Sequence, residues 1–398
     1  MKKIYFVLAL LFSFSASTFA QTLHTVNSGS YYYTPSNFTI NVGDTVTWLN
    51  DGGLHNVNFD VSVITGNSFG NPESFASSPT TGPVLYTHVF TIPGSYSYDC
   101  SVGSHALNGM VGSLMVNSPS IKTFVPDDNF EAYLENNAMG DGILNNDSVL
   151  TFNIDSIFTL NMNNQQISDL TGIEDFTQLR NLNVNSNQIA TIDVSNNIYL
   201  RELKFVNNSV SSLNISTNID LIYIQANGNQ LSSIDVSHCA NLENLQVGGN
   251  LISSVDVSNN LILESLGFYG LNISSLDVSN NTLLKYLTGG MNSLSSIDVS
   301  NNPDLVSLTL EQNQLSSIDL SNNNLIQYLY LGLNSISTID VSNLSDLYSF
   351  KIYDNQLASI DVTNSPLLNY LDCNRNQQIS NIDLSNTASH ETSNTIEK

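Results

Sequence analysis

The sequence predicts an all-β sandwich over residues 21–118, followed by a repeat solenoid over residues 161–385 that is entered through a short helical cap. Three observations carry this reading. Alternation at period two marks the first part, a 21-residue period marks the second, and the composition changes between them at Asn117-Ser118-Pro119-Ser120. Residues 119–160 then hold the linker and the cap, and residues 386–398 form a polar tail.

The chain opens with MKKIYFVLALLFSFSASTFA, in which Lys2 and Lys3 precede an apolar run and Thr18-Phe19-Ala20 offers a cleavage site. This predicts a secretory signal peptide over residues 1–20 rather than a membrane span, because the apolar core is too short. Gln21 follows where a lipoprotein would carry Cys. No other stretch is long and apolar enough to span a bilayer, so the expected location is outside the cytoplasm: periplasmic, extracellular or at the cell surface. Removing Lys2 and Lys3 takes the formal charge from −25 to −27. Such a surface repels nucleic acid and anionic lipid and excludes both as main partners.

In the first part, residues 21–117 contain no Lys or Arg. "FTINVGDTVTWLN" places Phe38, Ile40 and Val42 on one face, turns at Gly43-Asp44, and resumes with Val46 and Trp48. "HVFTIPGSYSYDC" turns at Pro93-Gly94 and aligns Tyr96, Tyr98 and Cys100, while "GMVGSLMV" supplies a closing strand. Residues 60–86 are rich in Ser, Gly, Pro and Asn and read as a long excursion. His24 and His88 read as ordinary strand or loop residues, with no partner evident in the sequence.

In the second part, Ile192-Asp193-Val194 recurs at Leu213, Ile234, Val255, Leu276, Ile297, Ile318, Ile339 and Ile360 in steps of 21, and at Ile382 after 22. Between triplets, "LENLQVGGNLI" (Leu242, Leu245, Val247, Asn250, Ile252) gives L-x-x-L-x-L-x-x-N-x-L, the pattern of leucine-rich repeats. Each repeat adds a short parallel strand with inward leucines, about ten in all. The recurring Asn187, Asn208, Asn229, Asn250, Asn292, Asn313, Asn334, Asn355 and Asn376 are expected to turn inward and satisfy buried backbone groups. Leu271 interrupts that column and predicts a local irregularity. "VPDDNFEAYLENNA" has Asp at a helix start and helical spacing, which predicts the cap. The "LTGIEDFTQL" entry and "IDVSNN" triplets resemble secreted repeat proteins of the Bacteroidetes type.

Candidate binding residues follow from this layout. Tyr223, Tyr286, Tyr328 and Tyr370 share one repeat position on the concave face, with Tyr330 and Tyr348 nearby. Tyrosines on a rigid curved sheet suit a protein or glycan ligand, although tyrosine also favours strands for its own sake. The aspartates of the triplets (Asp193, Asp235, Asp256, Asp277, Asp298, Asp319, Asp340, Asp361 and Asp383, with Asn214 the exception) form a second column. Calcium bridging or hydrogen bonds from the following Ser and backbone N–H would offset their repulsion, and the turn reading is preferred. Three cysteines in an exported chain make no disulfide framework. Cys373 falls on an inward strand position, Cys239 replaces an asparagine of the convex turn, and the two lie too far apart to pair.

Cys100 stands apart from these. "YDCSVGSHALNGMVG" sets Cys100, His105 and Met110 at even intervals. A thiolate, two imidazoles and a weak thioether suit copper cycling between two oxidation states. The second imidazole must come from elsewhere, and "WLNDGGLHNVNF" offers His55, 45 residues before Cys100. The features "VGDTVTWLN…HNV" and "YSYDC…H…GMVGSLMV" over residues 31–116 resemble the cupredoxins, blue copper proteins such as plastocyanin and azurin. The resemblance implies a cupredoxin-like sandwich holding one type 1 copper site, with His55, Cys100, His105 and the long axial Met110 as ligands. It implies that Asn56 ties the two ligand loops together, and that His105 passes electrons through an apolar patch including Ala106, Leu107 and Val111. Zinc accepts the same donors. The expected function is single-electron transfer to a redox partner protein, as a carrier rather than a turnover enzyme. The competing reading is an extracellular adhesion or recognition protein whose sandwich stores or senses copper, or is only structural.

Overall fold

The computed structural model describes residues 22–118 and 121–377, together with residues 379, 382, 384, 386 and 387. The leader expected over residues 1–20, Asp383 and most of the tail lie outside the described residues. The chain forms two compact units, one ending at Ser120 and the other beginning at Ile121.

In the first unit, seven strands make two sheets. The strands β1 (Leu23–Gly29), β2 (Tyr32–Thr34), β4 (Thr45–Asn50) and β5 (Val84–Val89) lie in the order β2-β1-β4-β5. The second sheet has the order β3-β7-β6, from Asn37–Asn41, Val111–Asn117 and Gly94–Asp99. Period-two alternation turns Val46 and Trp48 of β4, and Tyr96 and Tyr98 of β6, into the core between the sheets. Trp48 packs edge-on against Phe59 and Tyr98, both at 5.6 Å between ring centroids. The excursion expected to reach Tyr86 ends earlier, because β5 begins at Val84 and pairs antiparallel with β4. Its remainder is pinned by isolated bridges such as His55 to Thr80 and Asn58 to Ala76. The two histidines without evident partners have them: His24 bonds Asp44 at 3.0 Å and His88 bonds Glu73 at 2.8 Å.

The second unit begins with a cap. Asp127 accepts hydrogen bonds from the Asn129 and Phe130 amides and starts helix α1 (Asp128–Asn136), which buries Phe130 and Leu134. Strands β8 (Lys122–Phe124) and β9 (Ser148–Leu150) form a hairpin beside it. Eleven three-residue parallel strands follow, from Thr159–Asn161 to Tyr370–Asp372. Their central residues, such as Leu245, Leu266, Leu287 and Leu308, pair in unbroken register and are buried.

The asparagine column behaves as its spacing implies. The Asn250 amide donates to the carbonyls of Ala226 (2.9 Å) and Val247 (2.8 Å), and its oxygen accepts from the Leu231 N–H (3.0 Å). At Leu271 a hydrocarbon replaces these bonds, yet the strands on either side keep their register. The irregularity is local: Asn272 takes a left-handed backbone (φ 65°), outside the 21-residue series of such turn positions. A second asparagine column lies in the opposite turn, where fully buried Asn197, Asn218, Asn260, Asn281, Asn302 and Asn323 each donate to two carbonyls of the preceding repeat. Only donors are used there, since these amide oxygens meet no partner. That explains why Cys239 and Ser365 serve in the same column, each giving one donor to a carbonyl. Cys239 and Cys373 are both free thiols, and Cys373 packs against the core.

Candidate metal centre

Cys100 faces inward because it continues the parity of Tyr96 and Tyr98 past the end of β6. The chain then folds back on itself. The Cys100 N–H donates to the Met110 carbonyl (3.1 Å), and the Met110 N–H donates to the His105 carbonyl (3.0 Å). A single 3-10 turn at Ala106–Asn108 and a left-handed Gly109 (φ 104°) make that reversal, which brings buried Met110 beside Cys100. His55 arrives from the other side. Asn58 exchanges backbone hydrogen bonds with Asp99 at 2.9 and 3.0 Å, which lays the segment after His55 along the end of β6.

Three donor atoms meet as a result. His55 Nδ1 lies 3.1 Å from His105 Nδ1, and Cys100 Sγ lies 3.4 Å from His105 Nδ1 and 4.0 Å from His55 Nδ1. The point equidistant from all three corners of that triangle is about 2.1 Å from each, the bond length imidazole nitrogen makes to a divalent transition metal (about 2.0–2.1 Å). The tautomer agrees with this. His55 Nε2 sits 3.1 Å from the Gly52 carbonyl, which only accepts, so Nε2 carries the proton and Nδ1 turns a lone pair inward. Burial holds the His55 pKa below the ordinary histidine range, and neighbouring His105 pushes the same way, outweighing the Gly52 carbonyl. Gly53 leaves room for this ring: it is left-handed (φ 102°), and a Cβ there would lie 2.8 Å from His55 Nε2. The donor set, two imidazoles and a thiol beside a thioether-bearing residue, fits copper.

Asn56 is buried and joins the two loops. Its oxygen accepts from the Ser101 N–H (2.8 Å), and its amide donates to Ser101 Oγ (2.9 Å) and to the Ser77 carbonyl (3.1 Å). Tyr33 adds a hydroxyl bond to the Asn56 carbonyl at 2.5 Å. Sequence reasoning did not find Ser101, Ser77, Tyr33 or Gly52, because each acts through backbone or through a partner distant in the chain. On the outer side, the ring of exposed Tyr31 meets His105 edge-on at 5.3 Å. Leu107 (65% exposed) and Val111 (40%) supply apolar surface, but Ala106, expected in the same patch, is 1% exposed. The 3-10 turn directs its methyl inward.

On the repeat sheet, Tyr223, Tyr286, Tyr328 and Tyr370 fall in one column, separated by Asn244, Ser265, Ser307 and Ser349. Tyr286, Tyr328, Tyr348 and Tyr370 are exposed, whereas Tyr223 and Tyr330 are half-buried. Lys204 lies over the Tyr223 ring (4.8 Å) and Lys351 over Tyr330 (4.6 Å), so those two faces are covered within the chain. The aspartate column is built as turns: Asp256 Oδ1, for example, accepts from the Ser258 N–H at 2.9 Å. Hydrogen bonds from Ser258 hold the Asp256 pKa below the usual range, and Asp277, Asp298 and Asp319 are held likewise by their own serines. Among the described residues, no helix is long and apolar enough to cross a membrane.

The profile of the family described as "Copper binding proteins, plastocyanin/azurin family" matches residues 20–117. Plastocyanin of Cucumis sativus is 38% identical over 97 residues, a match covering 23% of this chain and 93% of the relative. Chloroplastic plastocyanin of Oryza sativa subsp. indica is 33% identical over 95 residues, and the chain spans 58% of its length. The functional domain of InlJ from Listeria monocytogenes superimposes with a TM-score of 0.60 at 29% identity, covering 66% of this chain and 61% of that one. The repeat unit thus has the leucine-rich-repeat fold, and through residues 20–117 the chain belongs to the plastocyanin/azurin family of copper-binding proteins.

Proposed function

We propose that this is an exported type 1 copper protein that carries single electrons, with its repeats binding a partner protein or a surface glycan. The observation that carries the reading is the triangle of His55 Nδ1, Cys100 Sγ and His105 Nδ1, buried on the His55 and Cys100 sides. His55, Cys100 and His105 would hold copper, which would supply one-electron chemistry there, the soft thiolate favouring the reduced ion and the imidazoles serving both states. The residues do the rest. Asn56 and the Gly52 carbonyl hold the donors in one arrangement, which limits the reorganisation that accompanies a change of charge. The buried core excludes water from Cys100. His105 is half-exposed and bordered by Leu107 and Val111, so its edge is the exit toward a redox partner. The exposed tyrosines of the repeat sheet suit recognition of a partner outside the cytoplasm, in the periplasm or at the cell surface.

The test is the visible spectrum of the full chain loaded with Cu(II), beside Cys100→Ser. An intense thiolate-to-copper band, lost in Cys100→Ser, with a rapidly reversible one-electron couple, is the expected result. Copper uptake without reversible exchange would favour copper storage or sensing in a recognition protein. A folded protein that takes up no copper would sink the electron-transfer reading.

A further inference from the structure

The cap of the repeats holds a second group of ligand-type side chains, remote in sequence from the copper donors and of opposite chemistry. Asp128 and Glu131 stand on α1, and Asp147 immediately precedes β9. One carboxylate oxygen of each lies within 4.8 Å of those of the other two. Acidic clusters are common on a chain of this charge, and exposed Asp128 and Asp147 alone would carry no meaning. Glu131 is different. It is 0% exposed, its Oε1 accepts from the Asn146 N–H at 3.0 Å, and its Oε2 is buried with no donor among the described residues. A buried carboxylate oxygen without a donor, beside two further carboxylates, is costly unless a cation joins them.

We propose that Asp128, Glu131 and Asp147 bind a calcium ion. All donors are hard oxygens, which suit calcium or magnesium and not copper or zinc. Three carboxylates converging from a helix and a loop suit calcium, which takes several carboxylates in flexible geometry, better than magnesium, which keeps several waters and is held through one or two carboxylates. The surrounding bonds place the third ligand. Glu135 accepts from the Asp141 and Gly142 amides, and Asp141 in turn accepts from Asn146 Nδ2 and from Lys122, the only basic residue of residues 121–150. Lys122 is therefore engaged elsewhere, and the loop delivers Asp147 to α1 with a left-handed backbone (φ 54°). The ion would tie α1 to the loop ahead of β9, and so fix the cap on which the first repeat stacks.

The experiment uses the full chain stripped with EDTA. Calcium chloride and magnesium chloride are titrated separately by calorimetry, and thermal unfolding is followed with and without each ion. The comparison is Asp128→Asn/Asp147→Asn, which removes two charges at exposed positions and keeps a residue that tolerates positive φ at 147. We expect one calcium site per chain, weakened more than tenfold in the double variant, and a calcium-dependent rise in the unfolding midpoint that the variant lacks. Glu131→Gln retains an oxygen for Asn146 and is expected to lose the site as well, which keeps the test decisive if the double variant folds poorly. Equal calcium binding by wild type and variants would place the ion on the aspartate turns and overturn the assignment. So would tighter binding of magnesium, or no binding at millimolar calcium.

Discussion

In the sandwich, one buried asparagine, Asn56, joins two loops lying 45 residues apart, as its bond to Ser101 records. In the repeats, an asparagine recurs and each joins its own turn to the one before it, as Asn250 reaches back to Ala226. The amide chemistry is the same. What differs is redundancy: the repeat unit distributes the function of Asn250 over many equivalents and survives its loss at Leu271, while the sandwich has one Asn56 and one set of ligand loops. Structural polar groups can be multiplied, whereas a metal site must be built once.

Substitution at the two asparagines separates their roles most strongly. Asn250→Ala leaves the Ala226 and Val247 carbonyls and the Leu231 N–H without their side-chain partner. The expected cost is roughly 3 kcal/mol, since each buried group left unpaired costs about 1–3 and some relaxation follows. It is read as a lower unfolding midpoint of the repeats with an unchanged copper spectrum. Asn56→Ala should cost less stability, roughly 2 kcal/mol, yet weaken copper binding about 10- to 100-fold and alter the thiolate band. An Asn56→Ala protein with normal copper affinity and spectrum would show that the loops hold themselves together.

Acid distinguishes the two units by a different route. Asp127 is buried, which alone would raise its pKa, but bonds from Ser168, Phe130 and Asp169 outweigh this and hold it low. The aspartate turns are held low as well. Carboxylates with depressed folded-state pKa values stabilise above the unfolded value, near 3.8, and that contribution is lost as pH falls through the folded values. In the sandwich, Asp44 follows the same rule, but burial raises Asp99, despite bonds from Val63 and Asn58, and its protonation favours the folded state. Below about pH 4 the repeats should therefore lose stability before the sandwich, as far-UV circular dichroism and a near-UV Trp48 signal would separate. Simultaneous loss of both signals would contradict the sign of these shifts.

A weaker effect concerns charge around His105, the proposed electron exit. The sandwich has no Lys or Arg over residues 21–117 and retains Asp51, Asp60 and Glu73. A cationic one-electron reagent should thus react with the copper form a few-fold faster than an anionic one of equal driving force, with the advantage fading as salt screens it. Identical rates would place the exit on a neutral surface.

Much of this was legible because it repeats or because it is chemically rare. The 21-residue period disclosed the strands and the Asn250 column, and Cys100, His105 and Met110 drew attention as scarce residue types. Asp127 announced α1 as a capping residue. Other features left no mark. The Asn197 column hides in "SNN", where serine and asparagine equally suggest an exposed turn. Glu131 reads as an ordinary helix residue, since its partner Asn146 sits in a loop with no pattern of its own. Ala106 looked like its neighbours Leu107 and Val111 until the 3-10 turn assigned it the other side.

The asparagine bonds also have a direction. Asn250 serves one carbonyl and one amide of the repeat before it, as do Asn229, Asn292 and Asn313. Each of these asparagines thus finishes the bonding of the turn that precedes it. A chain synthesised from its N-terminus therefore carries, at every moment, one unfinished turn at its growing end, and each new turn closes the one just made.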